Sequence, residues 1–188
     1  MSPELDKKLC EKYPKIFSQR GGSPMETLMC WGFAHGDGWF SIINNLCANI
    51  QSHIDWKEKS IEQAKKYNEM KRHMHEGEFG LFDKDFSNVG EGEFKERRRK
   101  EILEGPYRKV AEPCPQVVAV QVKEKFGTLR FYYDGGDEYI SGLVAMAESM
   151  SGCTCEECGA PGKQRSGGWI QTLCDTHAEA AGKFEEEV

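Results

Sequence analysis

The chain has 188 residues, 38% of them hydrophobic and 30% charged, enough for one well-buried core with a small appended module. With 31 acidic against 25 basic residues its formal net charge is −6, so the molecule as a whole repels polyanions and any nucleic-acid contact has to be local. No stretch approaches the ~18 consecutive apolar residues of a membrane-spanning helix, and the opening MSPELDKKLCEKYPKIF lacks the basic-then-apolar pattern of an export signal. A cytoplasmic location is therefore expected, and in that setting the eight cysteines point to thiols and a metal rather than to disulfides.

Residues 1–38 hold Pro3, Pro14 and Pro24, the pair Gly21 and Gly22, and the turn-rich run from Gly32 to Gly38, so short helices and loops wrapping a core are expected. From Trp39 the period changes. Phe40, Ile43, Leu46, Ile50, Ile54, Ile61 and Ala64 recur at helical steps and draw one apolar stripe down a long helix, for which Asp37 or Ser41 could serve as cap. The His35 to Trp39 loop opens this helix, where an anion could sit at the helix N-terminus; a staple and cap is the plainer reading. His53, His73 and His75 have no metal partners nearby in sequence and read as surface residues.

Residues 67–109 are strongly charged and poor in aliphatics, densest at Glu96-Arg97-Arg98-Arg99-Lys100-Glu101. Their irregularly spaced Phe79, Leu81, Phe82, Phe86 and Phe94 predict a surface helix or an inserted loop studded with aromatics. After Pro113 and Pro115 the period becomes two, which predicts strands over 116–122 and 128–133 joined as an antiparallel hairpin. Asp137 is placed to cap a second helix with Ile140, Leu143, Val144, Ala147 and Met150 on one face. The tail from Ala178 starts helix-forming and ends acidic, with a frayed end expected.

The chemistry concentrates between that helix and the tail. Cys155-x2-Cys158 and Cys174-x2-His177 form two chelating pairs separated by fifteen residues, a length suited to a hairpin. Gly159 permits the positive φ that a C-x2-C knuckle needs, and Ala178-Glu179-Ala180 after the second pair predicts a helix start. Knuckle, hairpin and helix start make a treble-clef-like unit holding a structural Zn2+ by four protein ligands. Cys153 competes as a third nearby sulfur, but the x2 pair followed by glycine is the better chelate.

Lys123, Lys125, Arg130 and Tyr132, with Trp39, are candidate ligand-binding residues, because cations beside stacking rings take up phosphates and bases. Strand alternation alone would also put aromatics inward and solvated cations outward. No nucleophile and base pair, Walker or dinucleotide glycine pattern, or further histidine between the chelating pairs marks a catalytic site.

The segment VKEKFGTLRFYYDGGDEYISGLVAMAESMSGCTCEECGAPGKQRSGGWIQTLCDTH (122–177), with ELDKKLCEKYPKIF (4–17) and MCWGFAHGDGWFSII (29–43), resembles a group of small proteins from bacteriophage and prophage genomes. The resemblance implies a setting, the cytoplasm of a bacterial host, rather than a reaction. The expectations are an α+β fold, with a long amphipathic helix and a second helix on a small antiparallel sheet. They divide the chain into a main domain over 1–152 with a charged insertion near 67–110, and a zinc-binding unit over 153–188. Functionally they describe a non-enzymatic, zinc-stabilised phage accessory binding protein that inhibits a host defence protein or sequesters a nucleotide signal. A nucleic-acid-binding zinc finger is the alternative, and a metal-dependent nuclease or hydrolase is a further one.

Overall fold

In the computed structural model, which describes residues 1–183, the period-two segments form β2 (Val118–Lys125) and β3 (Thr128–Asp134), paired antiparallel with Lys123 opposite Arg130. The turn between them has two residues, Phe126 and Gly127, both with positive φ. A third strand precedes them in sequence. β1 (Phe33–Ala34) pairs parallel to β2, with Phe33 opposite Val122, so the sheet is mixed, in the order β1-β2-β3, rather than purely antiparallel. Two residues in a glycine-flanked loop are too few to show alternation, which is why sequence patterning passes over β1.

The chain before β1 holds α1 (Pro3–Lys12) and a 3-10 turn at Met29–Trp31, and a second 3-10 turn at Asp37–Trp39 leads into α2 (Phe40–His75). No side chain caps the second 3-10 turn; the Asp37 carboxylate instead accepts the Ser2 N–H at 2.5 Å. Asp137 does cap α5 (Glu138–Ser151), its Oδ1 accepting the Ile140 N–H at 3.2 Å. Helix α5 also closes the outer edge of β3: Ser151 Oγ accepts from Leu129 N at 2.8 Å and Glu148 Oε1 from Phe131 N at 2.9 Å. Side chains thus take up the edge donors that would otherwise invite another strand.

Two compact units result, residues 1–54 with the chain from 114 onward, and residues 55–113. The core of the first joins Leu9, Ile16, Phe17 and Met29 from the wrapping segment to Trp39, Ile43, Leu46 and Ile50, and to Val117, Val122, Leu129, Phe131, Ile140 and Val144. The cysteine-rich segment belongs to this unit. It carries β4 (Lys163–Arg165) paired antiparallel with β5 (Gln171–Leu173), then α6 (Asp175–Ala180). The acidic end of the tail lies outside the described residues.

The second unit differs from the predicted surface helix or inserted loop in having a core of its own. The last turns of α2, α3 (Gly80–Asp85) and α4 (Glu93–Glu104) enclose a core of Met70, Met74, Phe82 and Ile102, with Tyr67, Phe79, Phe86 and Leu103 around it. The unit starts near 55 rather than 67, because the apolar face of α2 continues through Met70 and Met74, which serve this core. Lys71 is buried, and its Nζ donates to the Ile102 and Leu103 carbonyls, both at 2.6 Å, so a cation meets the exposed carbonyl end of α4.

Candidate metal centre and ligand face

The first chelating pair lies on turns after α5, and the second at the start of α6, where Cys174 is the residue before the helix and His177 is in its first turn. Gly159 closes the knuckle with φ +77°. The β4-β5 hairpin folds the second pair back onto the first. Cys158 Sγ then lies 3.8 Å from Cys174 Sγ, and His177 Nδ1 is 3.1 Å from Cys174 Sγ and 3.6 Å from Cys155 Sγ. A tetrahedron with sulfur ~2.3 Å from its centre has edges of ~3.8 Å, so these spacings suit one ion of zinc-like size held by four donors. Cys155, Cys158, Cys174 and His177 lie together as a group able to hold a metal ion. Cys153 does not join it; its sulfur is exposed and donates to the Met150 carbonyl at 3.2 Å.

The electrostatics of the knuckle favour an anionic sulfur. Burial works to raise the Cys155 thiol, yet the backbone N–H groups of Cys174, Cys158 and Glu157 donate to its sulfur and bring it down from 9.0 to about 7. For Cys158 the Ala160 N–H favours the thiolate, but burial and the Cys155 and Cys174 sulfurs outweigh it and the group is raised. Neighbouring sulfurs compete to keep protons until a cation satisfies them together.

The loop that opens α2 grips this knuckle. Gly38 N donates to the Glu156 carbonyl at 2.7 Å, Gly36 N to Glu156 Oε1 at 3.0 Å, and Trp39 Nε1 to the Thr154 carbonyl at 2.8 Å. A Cβ on Gly38 would run into the Cys155 carbonyl, and one on Gly36 into that of Glu156, so both positions need glycine for close backbone approach. Trp39 is fully buried by this arrangement and cannot join a ligand face, which corrects the expectation drawn from its aromatic neighbours. His35 packs beside Trp39 with ring centroids 5.6 Å apart, and burial pushes it down from 6.5 to about 4. The spacing of Gly36 and Gly38 was the available sign that this loop meets another backbone.

The remaining candidate ligand residues do share one face. Cross-strand pairing sets Lys123 opposite Arg130, Lys125 opposite Thr128 and Gln121 opposite Tyr132, while Val122, Leu129 and Phe131 point to the core. Lys123 Nζ lies 5.6 Å from the Tyr132 ring centroid and Lys125 Nζ 5.5 Å from that of Phe126. Arg130 folds back along its strand, Nη1 donating to Thr128 Oγ1 at 2.7 Å and to the Leu129 carbonyl at 2.6 Å. Sequence reasoning missed the far wall. A groove of about 510 Å³ runs from Lys123, Glu124 and Lys125 past Phe126 to Gly168, Trp169 and Ile170, with Phe126 66% and Trp169 68% exposed; Arg130 and Tyr132 stand on the same hairpin face outside its lining.

The basic run at 97–100 is committed within the insertion. Arg97 and Arg98 meet Glu101, Lys100 meets Glu104, and Arg99 reaches Asp83 at 3.4 Å while stacking over Phe79 and Phe82. No helix among the described residues is long and apolar enough to cross a membrane. Comparisons of this chain with protein-family models, with curated proteins and with solved structures find no match.

Proposed function

We propose that this chain is a non-enzymatic binding protein, stabilised by a structural zinc ion in a treble-clef-like C-terminal unit, that takes a small anionic aromatic ligand of the nucleotide type. One observation carries the reading: Lys123 and Arg130 stand directly opposite each other on the solvent face of the hairpin, with the exposed ring of Tyr132 near Lys123 and those of Phe126 and Trp169 along the groove that Lys123 lines. Like charges in direct cross-strand register destabilise a sheet, and a bulky residue such as Phe126 with φ 54° at a turn is strained. Both features make sense where phosphate neutralises the cations and a base stacks on the rings. An acidic molecule with a local cluster of cations on this hairpin face suits a small ligand better than a long polyanion.

The four-donor sphere leaves no position for a reacting water, which supports a structural role for the metal. The setting that accompanies this reading, a phage accessory protein acting in host cytoplasm on a nucleotide signal or a defence protein, rests on the sequence resemblance. The test is calorimetric titration with AMP, ATP and cyclic di-GMP, with tryptophan fluorescence of the wild type and of Trp169→Phe compared alongside. The paired substitution Lys123→Thr with Arg130→Thr is expected to weaken binding at least tenfold. It should also raise stability by about 0.5 kcal/mol, because it removes the like-charge pair. Failure of all three nucleotides to bind below about 1 mM, or unchanged binding by the variant, would overturn the reading. Steeply salt-dependent uptake of a ribo-oligonucleotide would favour the zinc-finger alternative instead.

A further inference from the structure

His53, Cys114 and Asp137 are distant in sequence, yet each offers one donor atom and these atoms lie within 4.8 Å of one another. Three different elements supply them: α2, the chain between Pro113 and Pro115, and the position capping α5. We propose that this trio is a second divalent-metal site, taking a zinc-class ion, that clips together the two points where the chain leaves the first unit and returns to it.

Each donor is held in place by something other than a metal. Asp137 Oδ1 accepts the Ile140 N–H at 3.2 Å as the cap of α5, which turns Oδ2 toward His53 Nε2 at 2.8 Å. The His53 ring lies against Tyr139, with centroids 4.4 Å apart and planes inclined by 30°. Cys114 is only 9% exposed and is set between two prolines, whose rings restrict the backbone on either side. Two residues before His53 and two after Cys114, Gln51 and Gln116 exchange amide hydrogen bonds at 3.3 Å and 3.1 Å, so the same two segments are already tied beside the trio.

The donor set decides the ion. One thiolate, one imidazole and one carboxylate is a mixed soft, borderline and hard set that suits Zn2+ or Co2+ rather than Ca2+ or Mg2+, which take oxygen ligands. Three protein donors leave one position for water, so this site should be weaker and more exchangeable than the Cys3His centre. Its effect is topological. His53 is the penultimate residue of the first unit before the insertion, and Cys114 is the first residue after it. A metal bond between them closes the whole inserted loop, and cross-links that close long loops restrict the unfolded chain most.

The full-length protein is titrated with zinc while native mass spectrometry counts bound ions. Wild type is expected to pass from one to two ions per chain. Cys114→Ser and His53→Gln should each stop at one, and Cys174→Ser should lose the other ion while keeping this one. Asp137→Asn preserves helix capping, since asparagine caps as well as aspartate, and should weaken the second ion at least tenfold without loss of fold. With the first site filled by zinc, added Co2+ should give a single-thiolate charge-transfer band that Cys114→Ser abolishes. A wild type that stops at one ion, or a Cys114→Ser protein that still holds two, overturns the proposal.

Discussion

The cysteine-rich segment and the helical insertion solve the same problem in different ways. Both are small enough that burial alone leaves them marginal. The insertion gathers Met70, Met74, Phe82 and Ile102 into an apolar core with aromatics packed around it, whereas among the described residues the segment after α5 buries only Cys155, Leu173 and Ala178 as a cluster. What the second lacks in apolar contact, four convergent donors would supply by holding a metal ion. A region organised around such a site can carry glycines and exposed rings, as at Gly167, Gly168 and Trp169.

The largest expected effect breaks the metal-built side. Structural zinc in comparable small units contributes on the order of 10 kcal/mol to local folding. Cys155→Ser should therefore unfold the segment from 153 onward, seen as loss of hydrogen-exchange protection at the Cys155, Glu156 and Gly162 amides, which bond within it. The insertion should keep its helical signal. Gly38→Ala comes next, since its new methyl collides with the Cys155 carbonyl and disturbs the bond to Glu156. Overpacking and a lost hydrogen bond together predict about 4 kcal/mol, read from a urea midpoint.

His35 ties the same clamp to pH. The unfolded chain takes up a proton near 6.5, and the folded one resists until about 4. The folded-state value is lowered, so the stabilisation is fully present above 6.5 and is lost as pH falls from 6.5 toward 4. The difference is about 3 kcal/mol. His35→Phe should flatten that part of the stability curve, measured as urea midpoints across pH, while an unchanged acid slope would mean another group controls it. The smallest effect sharpens the helix-built side. Lys71→Met leaves the Ile102 and Leu103 carbonyls without their cation and should cost about 2 kcal/mol in the insertion alone, monitored by exchange at the α4 amides.

Local signals were legible in the sequence, and distant ones were not. The four metal donors follow from two x2 pairs and a hairpin-length spacer, and the hairpin from period-two alternation. Asp137 was legible as a cap because capping is a local act. Trp39 looked like a ligand contact because its burial depends on Thr154, 115 residues away. His53 looked like a surface residue for the same reason, its carboxylate partner being 84 residues on, although its side chain is 13% exposed. The insertion's core escaped because Phe79, Phe82 and Phe86 lie within and at the two ends of one six-residue helix, too brief to show a period, while Met70 and Met74 extend the long helix past Ala64 into a stretch whose charge hides its apolar face.

The most direct measurement is the metal content of the protein as purified, by native mass spectrometry with elemental analysis, paired with exchange protection before and after chelation. At least one zinc per chain, whose removal exposes the Cys155, Glu156 and Gly162 amides and leaves α4 protected, is the predicted result. A metal-free chain with those amides still protected would contradict the account.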